Sequence, residues 1–229
     1  MSVTERQLPV HAPMNQFPVK GGELVIGGER LSTLAARVGQ TPFYAYDRSL
    51  LRARVVQLRG VLPKGIKLHY AMKANPALGV IAVFAQAGCG FDIVSGGDLD
   101  RVFAAGGRAD KVIFSGVGKT RAEMRQALEV GIACFNVESE AELEVLNEVA
   151  LSMGIRAPMS LRVNPNVDPK THPYISTGLK SSKFGVAHER VVPVYQRAAT
   201  LPGIKVVGID CHIGSQITQE EPYLDTVDR

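Results

Sequence analysis

The chain has 229 residues, 45% of them hydrophobic and 21% charged, which leaves room for one large domain or two small ones and marks a globular protein. Its net charge of +4 comes from Lys and Arg scattered among Asp and Glu, with no basic tract interleaved with aromatics, which argues against a nucleic-acid partner. No apolar run approaches the roughly 20 residues of a membrane helix, and the polar start MSVTERQLPVHAP lacks an export-signal core, so no membrane partner and a cytoplasmic location are expected.

Residues 1–16 read as a flexible leader. In FPVKGGELVIGG the segment LVI is flanked by glycine pairs, which predicts a short strand or hairpin. LSTLAARVG has helical spacing and a glycine stop, and TPFYAYD follows as an extended aromatic stretch. A regular pattern begins at Asp47, the predicted cap of the amphipathic SLLRARVVQLRGVL. Strand and helix then alternate: KLHYAMKAN, LGVIAVFAQAG, GFDIVS, DLDRVFAAGG, KVIFSG, RAEMRQALEVG, ACFNV, ESEAELEVLNEVALSMG and APMSLRVNP. After a long loop come HERVVPVYQRAATL, GIKVVGIDCHIGS and a last helix starting near Gln219.

Helix starts repeat one device. Ser95 with Asp98, Thr120 with Glu123, Ser139 with Glu142 and Thr218 with Glu221 have the spacing of capping boxes. Gly88, Gly106 or Gly107, Gly131 and Gly154 supply the stops. Cys89, Cys134 and Cys211 are odd in number and widely spaced, which reads as reduced thiols and offers neither a disulfide framework nor a metal site.

Alternating helices and apolar strands imply an α/β protein with a parallel sheet covered by helices. The choice lies between an open doubly wound sheet and a (β/α) barrel. No G-x-G-x-x-G follows the first strand, and the unit length favours a barrel. Six units begin at Lys67, against the eight a barrel closes with.

In parallel α/β folds the chemistry collects at the C-terminal ends of strands. Those ends hold Lys73 and Asn75; Asp92 and Ser95; Ser115 and Gly116; Asn136, Glu138 and Ser139; Arg162 and Asn164; and His212, Gly214 and Ser215. Lys73, partly desolvated by barrel walls, would be a nucleophilic amine; alternatively it is a surface lysine. His212 is either a ring that stacks on a cofactor or a hydrogen-bonded core histidine. Gly214 and Ser215, ahead of a helix, offer N–H and hydroxyl donors to a phosphate or form an ordinary cap. Asp92 and Arg162 are candidates for an ion pair across the mouth. Glu138 and Ser139 read first as the start of a helix. The loop 164–185, with Tyr174, Thr177, Ser181 and Ser182 beside Lys180 and Lys183, is long enough to be a lid over an anionic site or a surface excursion.

The motifs HYAMKAN, GFDIVSGGDLDR, IFSGVGKT, CFNVESEAEL, LRVNPNVDPKTHPYISTGLKSSKFG and GIDCHIGSQI, in this order, resemble diaminopimelate decarboxylases, which are pyridoxal-phosphate (PLP) enzymes with an alanine-racemase-type barrel. The resemblance runs from about Phe17 to Arg229. It implies PLP as cofactor, held by Lys73 as a Schiff base, with His212 stacked on the pyridine ring and Gly214 and Ser215 near the phosphate. It further implies Asp92 near the lysine, with Arg162 as partner to Asp92. The implied reaction is decarboxylation of meso-2,6-diaminopimelate to L-lysine by a homodimer with a shared active site.

By the same resemblance, residues 17–46 would belong to a second, β-rich domain and residues 47–229 to a barrel truncated after about six units. The remaining phosphate contacts, the pyridinium partner and a Cys-Glu pair from the second subunit would follow Arg229. Six units would leave two strand edges and an apolar interior exposed, so residues 1–229 alone are expected to be inactive. Rival readings are a related decarboxylase acting on ornithine, arginine or carboxynorspermidine or linked to exopolysaccharide export, and a non-enzymatic PLP carrier.

Overall fold

From residue 90 to 164 the strand segments alternate in chemistry. Phe91 and Ile93, Val112 and Phe114, Phe135 and Val137, and Met159 and Leu161 are apolar, with Asp92, Asn136 and Ser160 between them. Successive strand side chains point to opposite faces, so this pattern makes a sheet with one greasy and one polar side. The structure, a computed structural model, describes residues 15–167 and 184–229. The chain divides into two compact units, residues 1–63 and 64–229, with the division inside the 47–229 span expected for the barrel.

In the first unit β1 (Val19–Lys20), β2 (Glu23–Ile26) and β3 (Glu29–Arg30) form an antiparallel meander. Each connection is a glycine pair; Gly27 and Gly28 have φ of +60° and +89°, the backbone a two-residue hairpin loop requires. Helices α1 (Leu31–Val38) and α2 (Arg48–Val61) follow. Asp47 caps α2 by accepting from the Ser49 N–H at 2.7 Å, and its other oxygen accepts from the Gly27 N–H at 3.1 Å.

Among its described residues the second unit holds a seven-stranded parallel sheet, whose six longer strands are β4 (His69–Ala71), β5 (Gly90–Ile93), β6 (Val112–Phe114), β7 (Cys134–Val137), β8 (Ala157–Asn164) and β10 (Ile204–Cys211). Their spatial order is β10-β8-β7-β6-β5-β4, and the two-residue β9 (Val186–Ala187) pairs with the end of β8. Helices α3 (Leu78–Gln86), α4 (Gly96–Ala104), α5 (Arg121–Glu129), α6 (Glu140–Ser152), α7 (Val191–Thr200) and α8 (Glu221–Asp228) follow the strands in turn. These are the six strand–helix units read from the sequence.

The apolar strand face packs on helix residues Ile81, Leu99, Val102, Met124, Leu143, Leu146 and Val194 in one core cluster. Full burial of each large apolar side chain contributes about 1.5–3 kcal/mol. The other face carries Asp92, Asn136, Ser160, Arg162 and Asp210 beside Ala71 and Ile113, so it is more polar than the apolar interior expected. The strands alternate because only one of their faces meets helices.

The capping expectations hold at three helices. Thr120 and Glu123 make the full reciprocal box at α5. Ser95 and Ser139 cap α4 and α6, but Asp98 and Glu142 accept from the N–H one residue earlier, at Val94 and Glu138. The fourth does not form: Glu220 stands at the N-cap of α8 with no side-chain bond. Gly88, Gly106, Gly131 and Gly154 all end helices with positive φ. No described helix is long and apolar enough to cross a membrane.

Candidate functional site

The polar face is built by parity. Asn136 and Glu138 are two residues apart on β7 and its exit, as are Ser160, Arg162 and Asn164 on β8, and Asp210 and His212 on β10 and its exit. Strand register then sets Asn136 against Ser160 and Arg162 against Asp210. Asn136, Glu138, Ser160, Arg162 and Asn164 are all buried.

Buried charges need partners. Arg162 Nη1 donates to Glu138 Oε1 at 2.9 Å, and the same oxygen accepts from the Gly116 N–H at 2.8 Å. The Arg162 guanidinium also lies 5.3 Å from the centre of the Phe184 ring. The expected Asp92–Arg162 ion pair is therefore replaced. Glu138 is nearer in the strand order, since β7 adjoins β8 whereas β5 lies three strands away. Asp92 instead accepts from the Ser115 hydroxyl at 2.5 Å. Glu138 thus does more than open a helix, and its second oxygen, Oε2, is buried with no hydrogen-bond partner among the described residues.

A second buried ion pair braces the same region. The Lys119 side chain is fully buried; its Nζ donates to Glu142 Oε1 at 2.7 Å and to the carbonyls of Gly116 and Asn136 at 2.7 and 2.8 Å. Glu142 Oε2 accepts from the Glu138 N–H at 3.1 Å. Lys119 therefore fixes the backbone on either side of Glu138.

Lys73 follows β4 in a single 3-10 turn, and His212 follows β10. These strands are the two ends of the sheet order, yet Lys73 Nζ lies 3.4 Å from His212 Nε2, across 139 residues of sequence. Lys73 is exposed, contrary to the desolvated position expected; β4 is an edge strand and has a neighbour on one side among the described residues. Gly214 and Ser215 are half-buried just after His212. They do not open a helix, since α8 starts six residues after Ser215. The long loop's Tyr174, Thr177, Lys180, Ser181, Ser182 and Lys183 lie outside the described residues.

Burial controls the titration here. It pushes His212 down to about 4, reinforced by the charges of Lys73 and Arg162 and opposed by Glu138, so the ring is neutral near pH 7. It pushes the Asp210 carboxyl up to about 6, with Arg162 opposing and Asp92 and Glu138 adding to the rise. Burial also raises Asp92, against the Ser115 hydrogen bond and the charge of Lys73.

Of the residues singled out from the sequence, the structure brings Lys73 and His212 together and sets Asp92 and Arg162 in the same polar face. Lys119 and Asp210 were missed as members, and Glu138, named among the strand ends, was read first as the start of a helix. The signal for Glu138 and Asp210 was the two-residue alternation of polar side chains with Asn136 and His212. Lys119 had no such signal, because its partners lie on β7 and α6, distant in sequence.

Comparison with known proteins agrees with this geometry. Residues 48–229 match the family described as "Pyridoxal-dependent decarboxylase, pyridoxal binding domain". A diaminopimelate decarboxylase of Pseudomonas fluorescens is 55% identical over 94% of this chain and 52% of its own length. One from Pseudomonas aeruginosa is 54% identical over 94% and 52%. The crystal structure of diaminopimelate decarboxylase from Helicobacter pylori complexed with L-lysine superposes with a TM-score of 0.82 at 38% identity, covering 85% of this chain and 50% of that one. The chain thus spans about half the length of the relatives it matches. With a parallel sheet that carries a lysine and a neutral histidine at its mouth, and with this degree of likeness, the chain belongs to the pyridoxal-dependent decarboxylase family, in its pyridoxal-binding domain.

Proposed function

We propose that the chain is the cofactor-holding half of an enzyme that decarboxylates meso-2,6-diaminopimelate to L-lysine. The meeting of Lys73 Nζ and the His212 ring at 3.4 Å carries the reading. Support for the substrate comes from the names of the relatives and from the L-lysine in the Helicobacter pylori structure.

The donor set fits PLP. An amine beside a flat, neutral imidazole suits an aldehyde on an aromatic ring, and the unpartnered Glu138 Oε2 marks a polar site with an acceptor to spare. When bound, PLP supplies the electron sink for loss of carbon dioxide. Lys73 Nζ would hold the aldehyde of the cofactor as a nucleophilic amine. The flat His212 ring would face the pyridine, and its neutrality removes any charge repulsion from Lys73. Gly214 and Ser215 would offer N–H and hydroxyl donors to the phosphate. Asp92 balances the charge at Lys73, while Glu138 and Lys119 hold Arg162 and the adjoining backbone in place. Residues 17–46 contribute to a β-rich second domain, residues 47–229 to the barrel, and the protein works as a cytoplasmic homodimer; the resemblance supports these.

Borohydride reduction of the PLP-loaded protein, in the longest natural polypeptide that carries this chain, should leave the phosphopyridoxyl group on the Lys73 peptide. Its recovery on Lys111, Lys119 or Lys183 instead would overturn the site. Carbon dioxide release should be fastest from meso-diaminopimelate; faster release from ornithine or arginine would overturn the substrate.

A further inference from the structure

Asp92 is an acid of the polar face that feels the charge of Lys73, and it stands at the end of a line of hydrogen bonds that crosses four strands. Ser115 Oγ lies 2.5 Å from Asp92 Oδ1. Asn136 Nδ2 lies 3.1 Å from Ser115 Oγ. Ser160 Oγ lies 2.5 Å from Asn136 Oδ1. Asn136 and Ser160 are buried.

The chemistry of each group fixes the direction. An ionised carboxylate only accepts, and an amide NH2 only donates. Ser115 has one hydroxyl hydrogen, so it accepts from Asn136 and donates to Asp92. The Asn136 carbonyl oxygen only accepts, so Ser160 donates to it. Turning the amide over would present an acceptor to Ser115, whose single hydrogen would then be needed by both Asn136 and Asp92. Every link therefore points its hydrogen toward Asp92, and bonds aligned this way strengthen one another.

We propose that Ser160, Asn136 and Ser115 form a one-way hydrogen-bond relay that aims and holds the Asp92 carboxylate, which makes Asn136 and Ser160 positioning residues for the Lys73 site. This rests on the proposed function, because it assigns the relay's purpose to the acid beside Lys73. The charged groups that act on Asp92 are Lys73 and His69 from β4 and its exit, Arg162 from β8 and Asp210 from β10. Burial favours the neutral acid, and the Ser115 bond is the largest opposing influence. Lys73 comes next, so the relay and the lysine act in the same sense.

The test is a carboxyl-carbon NMR titration of Asp92 in the same long polypeptide, with the resonance assigned through Asp92→Asn, alongside borohydride trapping of PLP on Lys73. Loss of the direct bond in Ser115→Ala should raise the Asp92 midpoint by about one pH unit. Asn136→Leu should raise it by about half as much, and Ser160→Ala by a few tenths, roughly the attenuation expected along a polarised chain. Ser160→Thr keeps the donor and should restore the wild-type midpoint. A merely structural role for Ser160 predicts that Ser160→Ala and Ser160→Thr titrate alike, and that result overturns the relay. If Ser115→Ala does not fold, the Ser160 pair still decides. Failure to trap PLP on Lys73 in the wild type overturns the proposed function, whereas normal trapping with an unmoved Asp92 midpoint in Ser160→Ala overturns the relay alone.

Discussion

Replacing Lys119 with Met keeps the length of the side chain and removes its charge. In the folded protein Lys119 Nζ is the donor to Glu142 Oε1 and to two carbonyls, all within 2.8 Å, and its side chain is wholly buried. Removing one member of a buried pair costs about 3–5 kcal/mol, because the other charge is left uncompensated. That is a large share of the roughly 5–15 kcal/mol that holds a domain folded.

Glu142 can escape by taking up a proton, which makes the cost depend on pH. Burial already raises its carboxyl above the ordinary value of 4.5, and Lys119 is the largest influence holding it down. In Lys119→Met the carboxyl rises further. An acid whose folded pKa lies above its unfolded value binds more protons when folded, so stability falls as pH rises between the two values. The variant's deficit should therefore be smaller near pH 4.5, where only the two carbonyl hydrogen bonds are lost, and larger by pH 8. Urea unfolding midpoints at the two pH values measure this. An equal loss at both would refute the reasoning, as would a loss below about 1 kcal/mol at pH 8, the level of an exposed ion pair. Adding Glu142→Gln should recover much of the loss at pH 8, since no buried charge then remains.

Two further predictions rest on single residues. His212, held down to about 4 against an ordinary 6.5, binds fewer protons folded than unfolded between those values, so the wild type should lose stability as pH falls through that window while His212→Phe does not; parallel acid sensitivities by urea midpoint would count against it. The same His212→Phe should retain PLP better than His212→Ala because a flat ring remains, and loss of activity on chelation with recovery on adding zinc would refute a stacking role. Gly90→Ala places a methyl 2.4 Å from the His69 ring and 2.5 Å from the Lys111 carbonyl, so it should destabilise the β4–β5 contact by about 1–3 kcal/mol in thermal or urea unfolding, and an unchanged midpoint would show that the strands can part there.

What the sequence by itself determined was local and periodic. Strand–helix alternation, the Asp47 and Thr120 caps and the glycine stops could be read directly, because each depends on neighbours a few residues away. The ordered motifs pointed to Lys73 and His212. The partners of the charges came only with the tertiary structure. The sequence offered Arg162 one acid, Asp92, and the strand order, with β7 beside β8, gave it Glu138 instead. Thr218 and Glu221 had the spacing of a cap but not the backbone for one. Lys119 carried no signal in the sequence; its burial against Glu142 and two carbonyls came only with the packing of β7 and α6 beside the turn after β6. Pairing energies of buried groups depend on distance and on the loss of solvent, and both are set by which strands lie side by side, which no short stretch of sequence contains.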